Sequence, residues 1–100
     1  MNLVLSPEAV ERLEDQIRYV RDCHAPAAAE RLQLRVLSFL TNFLAVYPKA
    51  GRNLDRAGLW EIWIPKTPFI VWYQILDNDI VIVSVWHASQ DRQDGEPGHG

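Results

Sequence analysis

The residues of this 100-residue chain with chemical potential are few and scattered. His87 falls at the end of an apolar strand-like run, and an imidazole there could act as a general acid or base, because its ordinary pKa lies near neutrality. The bland alternative is a strand-end histidine bonded to the backbone, and no Tyr or Lys follows it to complete a nuclease-like ending. Arg52, Arg56, Lys66 and Arg92 are cations in loop-like sequence that could contact phosphate or an acidic protein surface, or simply be solvated. Trp60, Trp63, Trp72 and Trp86 are suited to core packing or to anchoring an interface; stacking on bases is the sharper reading. Glu61 could pair with Arg56 or Lys66, or take a cation from a partner. Cys23 beside His24 makes two adjacent ligands with no third close by, too few for a zinc site, so no metal or other cofactor is implied.

Composition restricts what could hold these groups in place. With 48% hydrophobic and 23% charged residues the chain reads as one small globular domain, and a core this small leaves room for a partner that covers apolar area. A net charge of −3 argues against gripping nucleic acid by a basic coat. A single cysteine precludes an intrachain disulfide, and the apolar run Leu3-Val4-Leu5 is too short for a signal core or a membrane span, so the cytoplasm is the expected compartment.

Ser6-Pro7-Glu8 reads as a helix start: a hydroxyl to accept from an orphan N–H, a ring with helical φ, and an acid at the positive dipole end. Leu3 to Leu5 then form a short strand. Val10, Leu13, Ile17 and Val20 mark the buried stripe of a helix running to about Cys23, with Arg12 on the wet side. Pro26 opens a second helix, apolar at Leu32, Val36, Phe39, Leu40, Phe43 and Tyr47 and ended by Pro48 and Gly51. Residues 49–58 read as a loop. The period then becomes strand-like over 59–64, 69–76 and 80–87, giving an α+β fold: a short strand and a helical hairpin packed on a three- to four-stranded, mainly antiparallel sheet. Residues 1–90 form the single domain. Residues 91–100 hold no apolar side chain and read as a flexible tail.

Pairing Ile64 with Phe69 and Leu76 with Ile80 sorts the strands onto two faces. One carries Trp60, Ile62, Ile64, Phe69, Val71, Tyr73, Ile75, Val81, Val83 and Val85, the expected core. The other carries Leu59, Glu61, Trp63, Ile70, Trp72, Gln74, Leu76, Ile80, Ile82, Ser84 and Trp86, eight apolar residues against three polar, with no helix left to cover it and no Lys or Arg on it. A face of that kind predicts a protein partner. A homodimer through the same sheet is the alternative. Asn78 is expected to take the left-handed conformation in the last hairpin turn.

Pro48-Lys49-Ala50-Gly51-Arg52, Arg56-Ala57-Gly58-Leu59-Trp60-Glu61, Pro68-Phe69-Ile70-Val71-Trp72-Tyr73 and Val85-Trp86-His87-Ala88-Ser89-Gln90-Asp91-Arg92 follow a strand and a helical hairpin in this order. That succession resembles the RelE/ParE superfamily of toxins from bacterial type II toxin–antitoxin systems, over about residues 2–92. The ending is closer to its ParE-like branch. The resemblance implies a cytoplasmic toxin neutralised by a cognate antitoxin, with Trp63, Ile70, Trp72, Ile80, Ile82 and Trp86 as the antitoxin-binding face. It implies DNA gyrase as the target, with nucleic acid met weakly or only through the antitoxin; the loop cations Arg52, Arg56, Lys66 and Arg92 are the candidate target contacts. The RelE-like alternative is a metal-independent, ribosome-dependent mRNA endonuclease with His87 as its catalytic candidate, and it requires His87 and the loop cations to converge. A degenerate, non-toxic member is the third reading.

Overall fold

The computed structural model describes residues 1–88. The chain begins with strand β1 (Asn2–Leu5) and helix α1 (Pro7–Cys23). Helix α2 (Pro26–Phe39) runs on into a π-helical turn (Leu40–Leu44). Strands β2 (Arg52–Asn53), β3 (Leu59–Trp63), β4 (Phe69–Leu76) and β5 (Asp79–His87) complete it. The five strands form one sheet in the order β1-β5-β4-β3-β2, with β1 parallel to β5 and every other pair antiparallel. The α+β architecture agrees with the expectation, but the strand count is higher. Arg52 and Asn53, expected in a loop, pair with Glu61 and Trp60 as a two-residue edge strand. The expected flexible tail, 91–100, lies outside the described residues.

Ser6 explains the start of α1. Its hydroxyl accepts from the Ala9 N–H at 3.0 Å and donates to the Val83 carbonyl at 2.8 Å, and Pro7 follows at the first helical position. One side chain thus caps the helix and ties it to β5. Ala9, Leu13 and Ile17 are the buried stripe, one residue displaced from the expected one at its start, since Val10 stays exposed. On the second helix Ala29, Val36, Leu40 and Leu44 are buried. The π turn, marked by the Ala45 N–H bonded to the Leu40 carbonyl at 3.0 Å, extends the helix with an extra residue in its ring. Phe43 and Tyr47, expected within the buried stripe, lie outside it: Phe39, Phe43 and Tyr47 form an aromatic column with ring centroids 5.0 and 5.3 Å apart.

The register of the last hairpin differs from the expectation in an informative way. Phe69 to Trp72 pair with His87 to Ser84 as expected, but Tyr73 pairs with Ile82, skipping Val83, and the turn closes with Leu76 opposite Asp79. Val83 is the extra residue of a β-bulge. A bulge shifts the alternation by one, so residues between it and the turn exchange faces. Ile80 and Ile82, expected on the outer face, are therefore fully buried core residues beneath the helices, while Val81 and Val83, expected in the core, are half-buried outside that cluster. Asp77, not Asn78, takes the left-handed conformation in the turn (φ 54°).

Tyr73 is fully buried at the centre of this core. Its hydroxyl donates to the Pro48 carbonyl at 2.8 Å and accepts from the Gly51 N–H at 3.1 Å. Burial raises its pKa above the ordinary phenol value, and the Gly51 hydrogen bond opposes the rise in part.

Two outcomes follow. Ser6→Ala removes the cap and the donor to Val83 together, so urea denaturation should show a loss of about 1–3 kcal/mol, and an unchanged midpoint would contradict the double role. For Tyr73, the native state holds the phenolic proton more tightly than the unfolded chain. Its contribution is therefore full at neutral pH and is lost as pH climbs beyond about 10. The stability advantage of the wild type over Tyr73→Phe should shrink between about pH 9 and 11; an advantage that stays flat over that range contradicts the assignment.

Candidate functional site

Pro48 to Gly51 form the turn that delivers Arg52 to the sheet, and Gly51 is needed for space. A Cβ on Gly51 would lie 2.5 Å from the Glu61 carbonyl oxygen and 2.6 Å from the Tyr73 hydroxyl. The turn is thus pressed against β3 and clipped by Tyr73, which sets where Arg52 leaves the backbone. Arg52 donates to Glu61 at 2.8 Å, and the other oxygen of the same carboxylate accepts from the Trp72 indole N–H at 2.9 Å. Glu61 is 14% exposed against 70% for Arg52, so the pair sits half in the sheet surface.

Between β2 and β3 the chain turns through Asp55, Arg56, Ala57 and Gly58. Asp55, Ala57 and Gly58 all have positive φ (60°, 52° and 67°), a conformation costing a non-glycine residue about 1–2 kcal/mol. The loop is held by the Gln74 amide donating to the Ala57 carbonyl at 2.7 Å and by the Asn53 side chain accepting from the Asp55 N–H at 2.8 Å. The result carries the Arg56 guanidinium to 5.6 Å from the Trp72 ring centroid.

Trp72 and Trp86 are neighbours on the outer face, with centroids 5.2 Å apart. The opposite end of this pair is covered from α1. Because β1 pairs β5 only over 79–82, the first turns of α1 flank the rest of that edge. Glu8 accepts from Ser84 at 2.9 Å and from Arg12 at 3.1 Å, and the Arg12 guanidinium lies 4.3 Å from the Trp86 centroid. The outer face thus carries a continuous strip, Arg12–Trp86–Trp72–Arg56, with Arg52 and Glu61 alongside. The expectation of a face without cations is corrected: β3, β4 and β5 supply none, but Arg12 from α1, Arg52 from the edge strand β2 and Arg56 from the turn after it reach the face. Spacing gave one signal for Arg12, its position four residues after Glu8 behind a helix cap; nothing in the sequence tied it to Trp86.

The expected antitoxin-binding residues do not form one bare patch. Ile80 and Ile82 belong to the core, Ile70 and Trp72 are each 8% exposed, and Trp86 is half-buried; Trp63 alone of the six is largely open, at 59%. The Trp63 indole N–H donates to the Thr67 carbonyl at 3.0 Å. Trp60 faces inward, stacked on Tyr73. The open apolar side chains cluster instead on the helical side, where Phe43, Val46, Tyr47 and Pro48 line a pocket and Val46 and Tyr47 are each 58% exposed; a second groove of about 450 Å³ between the helices is lined by Leu5, Val10, Leu37 and the buried Leu13 and Ile17, with Arg18 and Arg21. Leu34 stands 62% exposed on the same helix as Leu37.

The loop cations do not converge with the histidine. His87 pairs with Phe69 at the end of the sheet, edge-on to its ring, and Lys66 lies in the adjoining turn, where its carbonyl accepts from Arg35 at 3.3 Å. Arg52 and Arg56 gather at Trp72, three positions further along β4, or about 10 Å at strand rise. Arg92 lies outside the described residues. Among the described residues no group of three His, Cys, Asp or Glu side chains could hold a metal ion, and no helix is long and apolar enough to cross a membrane. Gly51→Ala should cost about 1–3 kcal/mol in urea denaturation, the usual penalty for forcing a carbon into filled space. An unchanged midpoint would show that the 48–51 turn is not pressed against β3.

Comparisons with known proteins bear on this geometry. The sequence matches the family model described as ParE toxin of type II toxin-antitoxin system, parDE, over residues 3–92. No curated protein matches it. Among solved structures, the chromosomal ParDE toxin–antitoxin system from P. aeruginosa superposes with a TM-score of 0.77 at 16% identity, covering 89% of this chain and 97% of that one. The intact E. coli RelBE toxin–antitoxin complex gives 0.55 at 14% identity, over 89% and 98% of the two chains. The isolated E. coli RelE toxin gives 0.56 at 14%, over 91% and 87%. At such identities the structures speak for the fold alone. The family model spans nearly the whole chain, from the first strand through the tryptophan-bearing last one, and places the protein in the ParE toxin family of type II toxin–antitoxin systems.

Proposed function

We propose that the protein inhibits bacterial growth by poisoning DNA gyrase through protein contacts in the cytoplasm, and that a cognate antitoxin neutralises it. The observation that carries the reading is the separation of the candidate groups. An acid–base cleavage of RNA needs cations around the scissile phosphate together with a proton-transferring group. Here His87 and Lys66 stand at one end of the sheet, and Arg52 and Arg56 gather at Trp72. The strip at Trp72 also interleaves carboxylates with its arginines, a composition better suited to a protein surface than to a polyanion. An antitoxin partner is supported by the family and by the solved relatives, two of which are toxin–antitoxin systems. Its apolar anchors have open counterparts on the helical side, where Leu34, Val46 and Tyr47 are exposed and Phe43, Val46, Tyr47 and Pro48 line a pocket.

Pulse-labelling of DNA and protein synthesis after inducing the chain without its antitoxin separates the readings. DNA synthesis should stop first. Protein synthesis stopping first would replace this reading with the mRNA endonuclease, and neither stopping would leave a non-toxic family member.

A further inference from the structure

The cations of the strip across Trp86 and Trp72 are not equally engaged. Arg12 is paired with Glu8 and Arg52 with Glu61. Arg56 is exposed and, among the described residues, makes no ion pair, although its loop holds it over the Trp72 ring. The three positive φ values and the Gln74 and Asn53 hydrogen bonds pre-set that loop, so little ordering would remain to be done when a ligand meets the guanidinium. A planar guanidinium held by its charge near an indole face still offers its N–H groups, which can take a carboxylate with two parallel hydrogen bonds.

From this arrangement we infer that Arg56 is the seat for a carboxylate on an acidic surface segment of gyrase. The inference rests on the gyrase reading above and names the chemistry of the contact. A phosphodiester chain is the poorer fit, because Glu61 and Glu8 lie along the strip and the chain carries a net charge of −3. The antitoxin is the poorer occupant, because the open apolar surface that a folding segment would cover lies on the helical side, at Leu34, Val46 and Tyr47.

The test uses purified gyrase with the full-length wild-type chain, Arg56→Glu, Arg56→Lys and Arg31→Glu, the last placing the same charge change on an exposed position of α2. Inhibition of supercoiling is titrated at low and high salt, and affinity for duplex DNA alone and for the antitoxin is measured beside it. Arg56→Glu should raise the half-inhibitory concentration at least about tenfold, the size of one lost charge-assisted hydrogen bond. Arg56→Lys should recover only part of the loss, and Arg31→Glu should inhibit as the wild type does. Inhibition by Arg56→Glu equal to wild type overturns the inference. So does an equal loss of affinity for DNA alone, which assigns Arg56 to nucleic acid, or a loss confined to antitoxin binding, which assigns it to that partner. A wild-type chain without effect on gyrase overturns the functional reading, and the inference falls with it.

Discussion

The bulge at Val83 is the constraint on which the rest of the structure depends. Skipping one residue opposite Trp72 and Tyr73 lets Ile80 and Ile82 join Val85 on the core side. In an unbroken ladder those positions would alternate out of phase. The carbonyl left over by the bulge is not wasted, because Ser6 donates to it while capping α1. Backbone groups displaced from a ladder must find another partner when water is excluded, and here that requirement locks the helix start to the sheet. The position of α1 follows from the lock, and with it the reach of Glu8 to Ser84 and of Arg12 to Trp86.

A second clamp acts at the other side of the sheet. Tyr73 spends both hydrogen-bonding capacities of its hydroxyl on the 48–51 turn, and Gly51 lets that turn press on β3. Arg52 therefore meets Glu61, Glu61 orients Trp72, and Trp72 becomes the surface over which Arg56 is held. The outer strip is thus built from both ends by groups whose reasons for being there are structural. Its chemistry, arginine beside indole beside carboxylate, is what the proposed protein contact draws on.

Much of this was legible in the residues. Ser6-Pro7-Glu8 marked the start of α1, Pro26 that of α2, and the change of period after Gly58 marked the strands, because each rests on local chemistry. The register of Phe69 to Trp72 was legible for the same reason, since turn and alternation agree there. The tip of the last hairpin was not, because a bulge leaves no compositional trace when the residues on both sides, Ile80 to Val83, are all β-branched and apolar. The candidate site suffered from that slip: Ile80 and Ile82 were placed outside by an alternation that holds only up to Ser84. Arg12 was missed for a different reason, as its partner Trp86 lies 74 residues away and only the fold brings them together. The order of motifs was enough to point to the toxin family, although no one of them carries the function.

The central claim is the skipped residue, and a through-space proton NMR spectrum of the labelled protein tests it most directly. The account predicts cross-strand contacts joining Tyr73 to Ile82 and Trp72 to Ser84, with Leu76 opposite Asp79. Contacts joining Tyr73 to Val83 and Leu76 to Ile80 would mean an unbroken ladder, and would contradict both the core and the strip described above.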